Sequence, residues 1–199
     1  NTKNLEFTRH AEREDLGAIF FDANSDGTND LYVVSGGVEC PAGSPQLRDR
    51  LYLNDGKGQF THAPNALPDL RDSGGCVVGA DYDRDGDIDL FIGGRVVPGA
   101  YPATPQSRLL RNDSKGPAPK FSDQTASVDS LGQAGLVSGA LWSDANGDGW
   151  IDLLVCCTDT FCQCGVHVHQ RIQGIFEHQL SATCHGIEVE GDMRNFLFT

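Results

Sequence analysis

Apolar residues fall along this chain in short runs, bounded by polar stretches rich in glycine and aspartate, and one such arrangement comes three times. Gly17-Ala-Ile-Phe-Phe21 leads into Asp22, Gly79-Ala80 into Asp81, and Gly139-Ala-Leu-Trp-Ser143 into Asp144. Leu31-Tyr-Val-Val34, Leu90-Phe-Ile92 and Leu153-Leu-Val155 lead out again. These runs, with Cys76-Val-Val78 ahead of the second loop, are too short for helices and rich in β-branched and aromatic residues, so each pair predicts two strands joined by an acidic hairpin tip. The first loop aspartates, Asp22, Asp81 and Asp144, recur at a period of about sixty residues.

A second element lies between the loops. Arg50-Leu-Tyr-Leu-Asn-Asp-Gly-Lys-Gly-Gln-Phe60 recurs as Arg108-Leu-Leu-Arg-Asn-Asp-Ser-Lys-Gly, reaching Phe121 after a short insertion. It predicts a third strand, a tight reversal on the Asn-Asp-Gly residues, and an outer strand beginning at Phe60. Asn1 to Phe7 aligns with Asn54 to Phe60, so the chain is expected to open mid-repeat. Four strands per repeat make one propeller blade. The expected fold class is all-β: about three four-stranded repeats with loop hairpins, forming a partial or open β-propeller. Segments 38–49 and 95–107, with Pro41, Pro45, Pro98, Pro102 and Pro105, are expected as long surface connections.

Composition narrows the partners. The chain has 199 residues, 15 Lys+Arg against 28 Asp+Glu, and a formal net charge of −13. A nucleic-acid binder needs a basic face for the phosphates, and an anionic membrane surface makes the same demand. Both are disfavoured. The 39% apolar content, with ten Phe and two Trp, is enough for a packed core. No stretch approaches the roughly 20 apolar residues of a membrane span, and no signal-peptide pattern opens the sequence.

The acidity is concentrated. Each loop reads Asp-x-Asp/Asn-x-Asp-Gly-x-x-Asp, and with the first Asp as position 1, eleven of the 28 acidic residues fall within positions 1 to 9. Oxygen-bearing side chains occupy positions 1, 3, 5 and 9, with Gly27, Gly86 and Gly149 at position 6. This is the opening of an EF-hand-type loop, where alternate side chains converge on a hard cation and Gly makes the sharp turn. The loops hold no Cys or His, which disfavours zinc and copper. Position 12, where an EF-hand places its bidentate Glu, holds Val33, Ile92 and Val155, so the ligand set is expected to close at position 9. The expected calcium ligands, about three sites in all, are Asp22, Asn24, Asp26 and Asp30 with the Thr28 carbonyl; Asp81, Asp83, Asp85 and Asp89 with the Asp87 carbonyl; and Asp144, Asn146, Asp148 and Asp152 with the Trp150 carbonyl. One such stretch could be an ordinary polar turn. Three in one frame, with the same flanks, argue for a shared chemistry, and the role expected of the ions is structural.

These residues resemble the FG-GAP/VCBS repeats of integrin α-subunit propellers and secreted bacterial proteins, with a flavour similar to the branch that includes cartilage acidic protein. The resemblance covers about residues 1–155. It implies blades of a larger calcium-containing propeller, export to the extracellular space or cell surface, and adhesion or recognition of a protein or glycan rather than catalysis. Three units do not close a seven-bladed ring, so the resemblance also implies a piece of a longer protein or assembly with further blades or copies. Gly36-Gly37 and Gly93-Gly94 follow the first two exit runs, whereas Cys157-Thr158 follows the third.

Residues 156–199 depart from the pattern, with five of the seven Cys and four of the six His. Cys162-Gln-Cys164 with His167 and His169 invites zinc, yet the spacing fits no standard framework. Alternatively, Val166 to Phe176 lies on the third-strand element as a divergent strand pair, or the segment is out of the repeat's frame. Asn112-Asp-Ser114 fits an N-glycosylation acceptor but occupies the repeat's turn, which favours a structural role. Cys40 and Cys76 could pair or stay free. Trp142 and Trp150 are expected in blade packing before sugar stacking, and His10 and His62 have no partner at catalytic spacing. No Ser-His-Asp set, His-Glu-x-x-His motif or phosphate loop is present. The expectation is a non-enzymatic calcium-stabilised recognition module, the competing one a segment of a secreted polysaccharide-degrading enzyme.

Overall fold

The structure, a computed structural model, describes residues 5–128, 131–158, 163–167 and 179–183. Its strands form three four-stranded antiparallel sheets, each in simple sequential order. The first contains β1 (Glu14–Phe21), β2 (Asp30–Gly36), β3 (Arg50–Asn54) and β4 (Phe60–His62). The second contains β5 (Ser73–Ala80), β6 (Asp89–Val96), β7 (Arg108–Asn112) and β8 (Phe121–Asp123). The third contains β9 (Val137–Ser143), β10 (Asp152–Cys157), β11 (Gln163–His167) and β12 (Gln179–Thr183). The fold is all-β, an open set of propeller-type blades.

Strand register repeats with the sequence. Position 9 of each acidic loop opens the second strand, and the next residue faces the third strand: Leu31 opposite Tyr52, Leu90 opposite Leu110, and Leu153 opposite His167. The divergent alignment of Val166 onto Leu51 therefore has a backbone counterpart in β11. The other tail residues invoked for zinc, Cys162 and His169, lie outside the described residues, and Cys164 and His167 are described through their backbone alone.

Adjacent sheets pack face to face. Phe21, Tyr32, Val34 and Leu51 of the first sheet meet Leu90, Ile92, Leu110 and Phe121 of the second in one cluster. Phe91, Leu109 and Tyr82 meet Val137, Leu153 and Val155 in the other. Close approach needs glycine: a Cβ on Gly93 would sit 2.5 Å from Val137 Cγ1 and 2.7 Å from Cys76 Sγ. Gly93-Gly94 lies inside β6, and Gly36 inside β2, instead of following those strands, a correction to the sequence reading. A second correction concerns Phe7. The repeat alignment places it at the start of an outer strand, but Leu5–Thr8 forms a single helical turn, α1. Its ring lies 4.9 Å from that of Tyr52 and 5.8 Å from that of Phe60, so packing on the sheet face overrides the repeat's register.

A sequential meander sorts its connections. The acidic loops and the 55–59 and 113–120 turns share one end of the stack. Connections 37–49 and 97–107 share the other, the second beginning later than its sequence estimate because β6 runs on to Val96. Among the described residues, no helix is long and apolar enough to cross a membrane.

Candidate metal centre

The same hydrogen bonds build all three loops. The position-1 carboxylate accepts the N–H of the position-6 glycine: Gly27 to Asp22 at 2.7 Å, Gly86 to Asp81 at 3.1 Å, and Gly149 to Asp144 at 2.9 Å. Position 3 accepts the N–H of position 5, with Asp26 donating to Asn24 at 3.3 Å, Asp85 to Asp83 at 3.2 Å and Asp148 to Asn146 at 2.9 Å. Position 5 accepts the N–H of position 7, at 2.8 Å for Thr28, 3.0 Å for Asp87 and 2.8 Å for Trp150. Such side-chain-to-backbone bonds are the turn habit of Asp and Asn. Glycine at position 6 has φ of 84°, 98° and 83°, the left-handed region that other residues enter at a cost.

Position 9 is the buried anchor. Asp30, Asp89 and Asp152 are at most 1% exposed, and each accepts the N–H of position 2, from Ala23 at 3.1 Å, Tyr82 at 3.2 Å and Ala145 at 3.0 Å. Asp30 and Asp89 also accept the N–H of the third-strand asparagine, Asn54 at 2.8 Å and Asn112 at 2.7 Å. In these two repeats the position-9 Asp ties hairpin to third strand, a role that spacing alone does not announce.

One carboxylate oxygen each from Asp81, Asp83 and Asp89 lies within 4.8 Å of the others. Loops one and three carry the amides Asn24 and Asn146 at position 3, so only the second can gather carboxylates at positions 1, 3 and 9. Asp85 and Asp87 stay outside that trio: Asp85 holds the Asp87 N–H, and the Asp87 carboxylate accepts Ser25 Oγ at 2.9 Å. Asp81 Oδ1 and Asp152 Oδ1 are buried without a hydrogen-bond partner. Burying such an atom unpaired is costly, and an oxygen-preferring cation would meet the need. The donor set therefore fits calcium.

Electrostatics agree. Burial pushes Asp89 up to about 7, and the Asp83 charge adds to this against the Asn112 and Tyr82 N–H bonds. Burial raises Asp83, Asp30 and Asp152 as well, whereas the Thr28 hydroxyl holds Asp26 below its ordinary value. A cation among these groups would favour their charged forms.

Residues 22–92, from the first aspartate of the first loop to Ile92 of β6, match the FG-GAP-like repeat family. This segment is similar to an FG-GAP-like repeat. No curated protein matches the chain. The FG-GAP-like segment contains the first two acidic loops and the Asp81, Asp83, Asp89 trio.

Other sequence candidates resolve differently. Asn112 is 1% exposed, and its amide and the Ser114 hydroxyl both donate to the Ala23 carbonyl, at 3.2 and 3.0 Å; the turn of the second sheet thereby clasps the first loop, leaving this side chain no room for a glycan. Cys40 and Cys76 are free thiols. Trp142 stacks on Tyr82 at 6.3 Å and 8°, a packing role. His10 and His62, apart in sequence, meet with ring centroids 4.8 Å apart.

Proposed function

We propose that this chain is a calcium-binding β-propeller-type module for extracellular recognition or adhesion, with protein or glycan partners, and that its calcium is structural rather than catalytic. The observation that carries the reading is the Asp81, Asp83, Asp89 trio with its buried, unpartnered Asp81 oxygen. The matching backbone lattice of the outer loops supports one site in each. The full ligand sets expected are positions 1, 3, 5 and 9 with the position-7 carbonyl. Bound calcium would supply positive charge that lets buried carboxylates ionise together and would fix the first two hairpin tips against their third strands. Asp30 and Asp89, bonded to Asn54 and Asn112, would carry that order into the sheet.

Recognition is assigned to the opposite end, where connections 37–49 and 97–107 expose Val38 and Tyr101; partner-binding residues commonly sit on loops held by a rigid scaffold. Further blades or copies would cover Phe20, Leu141 and Leu154, large apolar side chains that remain exposed on the sheets. Titration calorimetry with calcium and, separately, magnesium tests the metal. Calcium uptake that weakens in Asp83→Ala supports the reading; no heat at millimolar calcium overturns it.

A further inference from the structure

Ser25 and Arg84 are the only non-glycine residues with positive φ among the described residues, at 58° and 63°. Both stand at position 4 of an acidic loop, and both reach the next loop. Ser25 Oγ donates to Asp87 Oδ1, at position 7 of the second loop, at 2.9 Å. Arg84 Nη2 donates to the Gly149 carbonyl, at position 6 of the third loop, and its guanidinium carbon lies 3.5 Å from the centre of the Trp150 ring, at position 7. Position 4 of the third loop is Gly147, with φ of 72°. Backbone strain of this kind persists where the surroundings hold it, and it clusters at functional sites.

Resting on the calcium reading above, we propose that Arg84 is a positioning residue for the third loop and that, with Ser25, it links the three loops so that calcium in one favours calcium in the next. Arg84 engages two successive residues of the third loop, the Gly149 carbonyl and the Trp150 indole. Trp150 is the position whose carbonyl is expected on the ion. Five aspartates share Arg84's own loop, yet among the described residues its guanidinium forms no ion pair with them and lies on the neighbouring tryptophan. A cation held by Asp81, Asp83 and Asp89 would fix the backbone at Arg84, which directly follows Asp83, and so keep its guanidinium at the third loop.

The chain has two tryptophans, Trp142 and Trp150, so Trp142→Phe leaves a fluorophore that reports on the third loop. In that background, Arg84→Ala should raise the calcium midpoint of the Trp150 signal by about five- to tenfold, the lower range of couplings between sites. Arg84→Lys, which keeps the charge over the ring but loses the fork, should fall between. Disabling the second loop with Asp83→Ala should raise the midpoint by a similar factor, and the double variant should be no worse than either alone; Asp85→Asn, at an exposed position, serves if Asp83→Ala does not fold. A midpoint unmoved by Arg84→Ala, or fully multiplicative effects in the double variant, overturns the coupling while leaving calcium binding intact. Absence of calorimetric calcium uptake by the Trp142→Phe parent overturns the calcium reading itself. A purely structural role would lower the calcium-free melting temperature without moving the midpoint.

Discussion

Asp49 shows how one side chain can set a property of the folded protein. It accepts the Tyr32 hydroxyl at 2.7 Å and the Ser35 N–H at 2.8 Å, yet burial outweighs these bonds and the nearby Arg50 and pushes its carboxyl up to about 7. The folded state therefore keeps a proton that the unfolded chain releases near pH 4, and Asp49's contribution to stability is lost as pH rises from about 4 to about 7. His62 has the opposite sign. Burial, followed by the neighbouring His10, lowers it to about 4, so its contribution is present above pH 6.5 and lost as pH falls toward 4. Urea unfolding should show Asp49→Asn gaining stability relative to the parent between pH 4 and 7, and His62→Phe gaining relative stability as pH falls through the same window. Asn112 is the third residue of this kind: Asn112→Ala removes a buried bond to the Ala23 carbonyl and should cost about 1–2 kcal/mol of unfolding free energy.

At the scale of elements, glycine marks two different constraints. Gly86 has φ of 98°, and a methyl group added there would meet nothing within 4 Å, so Gly86→Ala should cost only the left-handed backbone penalty, about 1–2 kcal/mol. Gly93→Ala meets Val137 and Cys76, and should cost more by prising the second sheet from the third. Denaturant midpoints for the two variants measure the difference. The strands and hairpin tips were legible because short β-rich runs, Asp-Gly turns and a sixty-residue repeat are local signals. Less legible were features made across sheets. Position 4 is Ser, Arg and Gly in the three loops, side chains with nothing in common, and its shared left-handed backbone is set by the folded loop. Asn112 read as a turn residue, and nothing local to it announced Ala23 as its partner. The α1 turn escaped because Phe7 answers to Tyr52 and Phe60, not to its own repeat position.

At the scale of the molecule, the meander separates two ends with different chemistry. One gathers carboxylates into three loops whose tips touch through Ser25 and Arg84; the other carries the long connections. Between them, two apolar clusters join three sheets. In the first two repeats, order imposed on a tip passes through position 9 into the third strand, so removing the calcium proposed above should be felt as a loss of stability, about 1.4 kcal/mol per site at calcium tenfold above its dissociation constant. The most direct measurement is anomalous scattering from crystals grown in calcium. The account predicts a peak among Asp81, Asp83 and Asp89, with further peaks in the flanking loops. Well-ordered loops with no peak at millimolar calcium would contradict it.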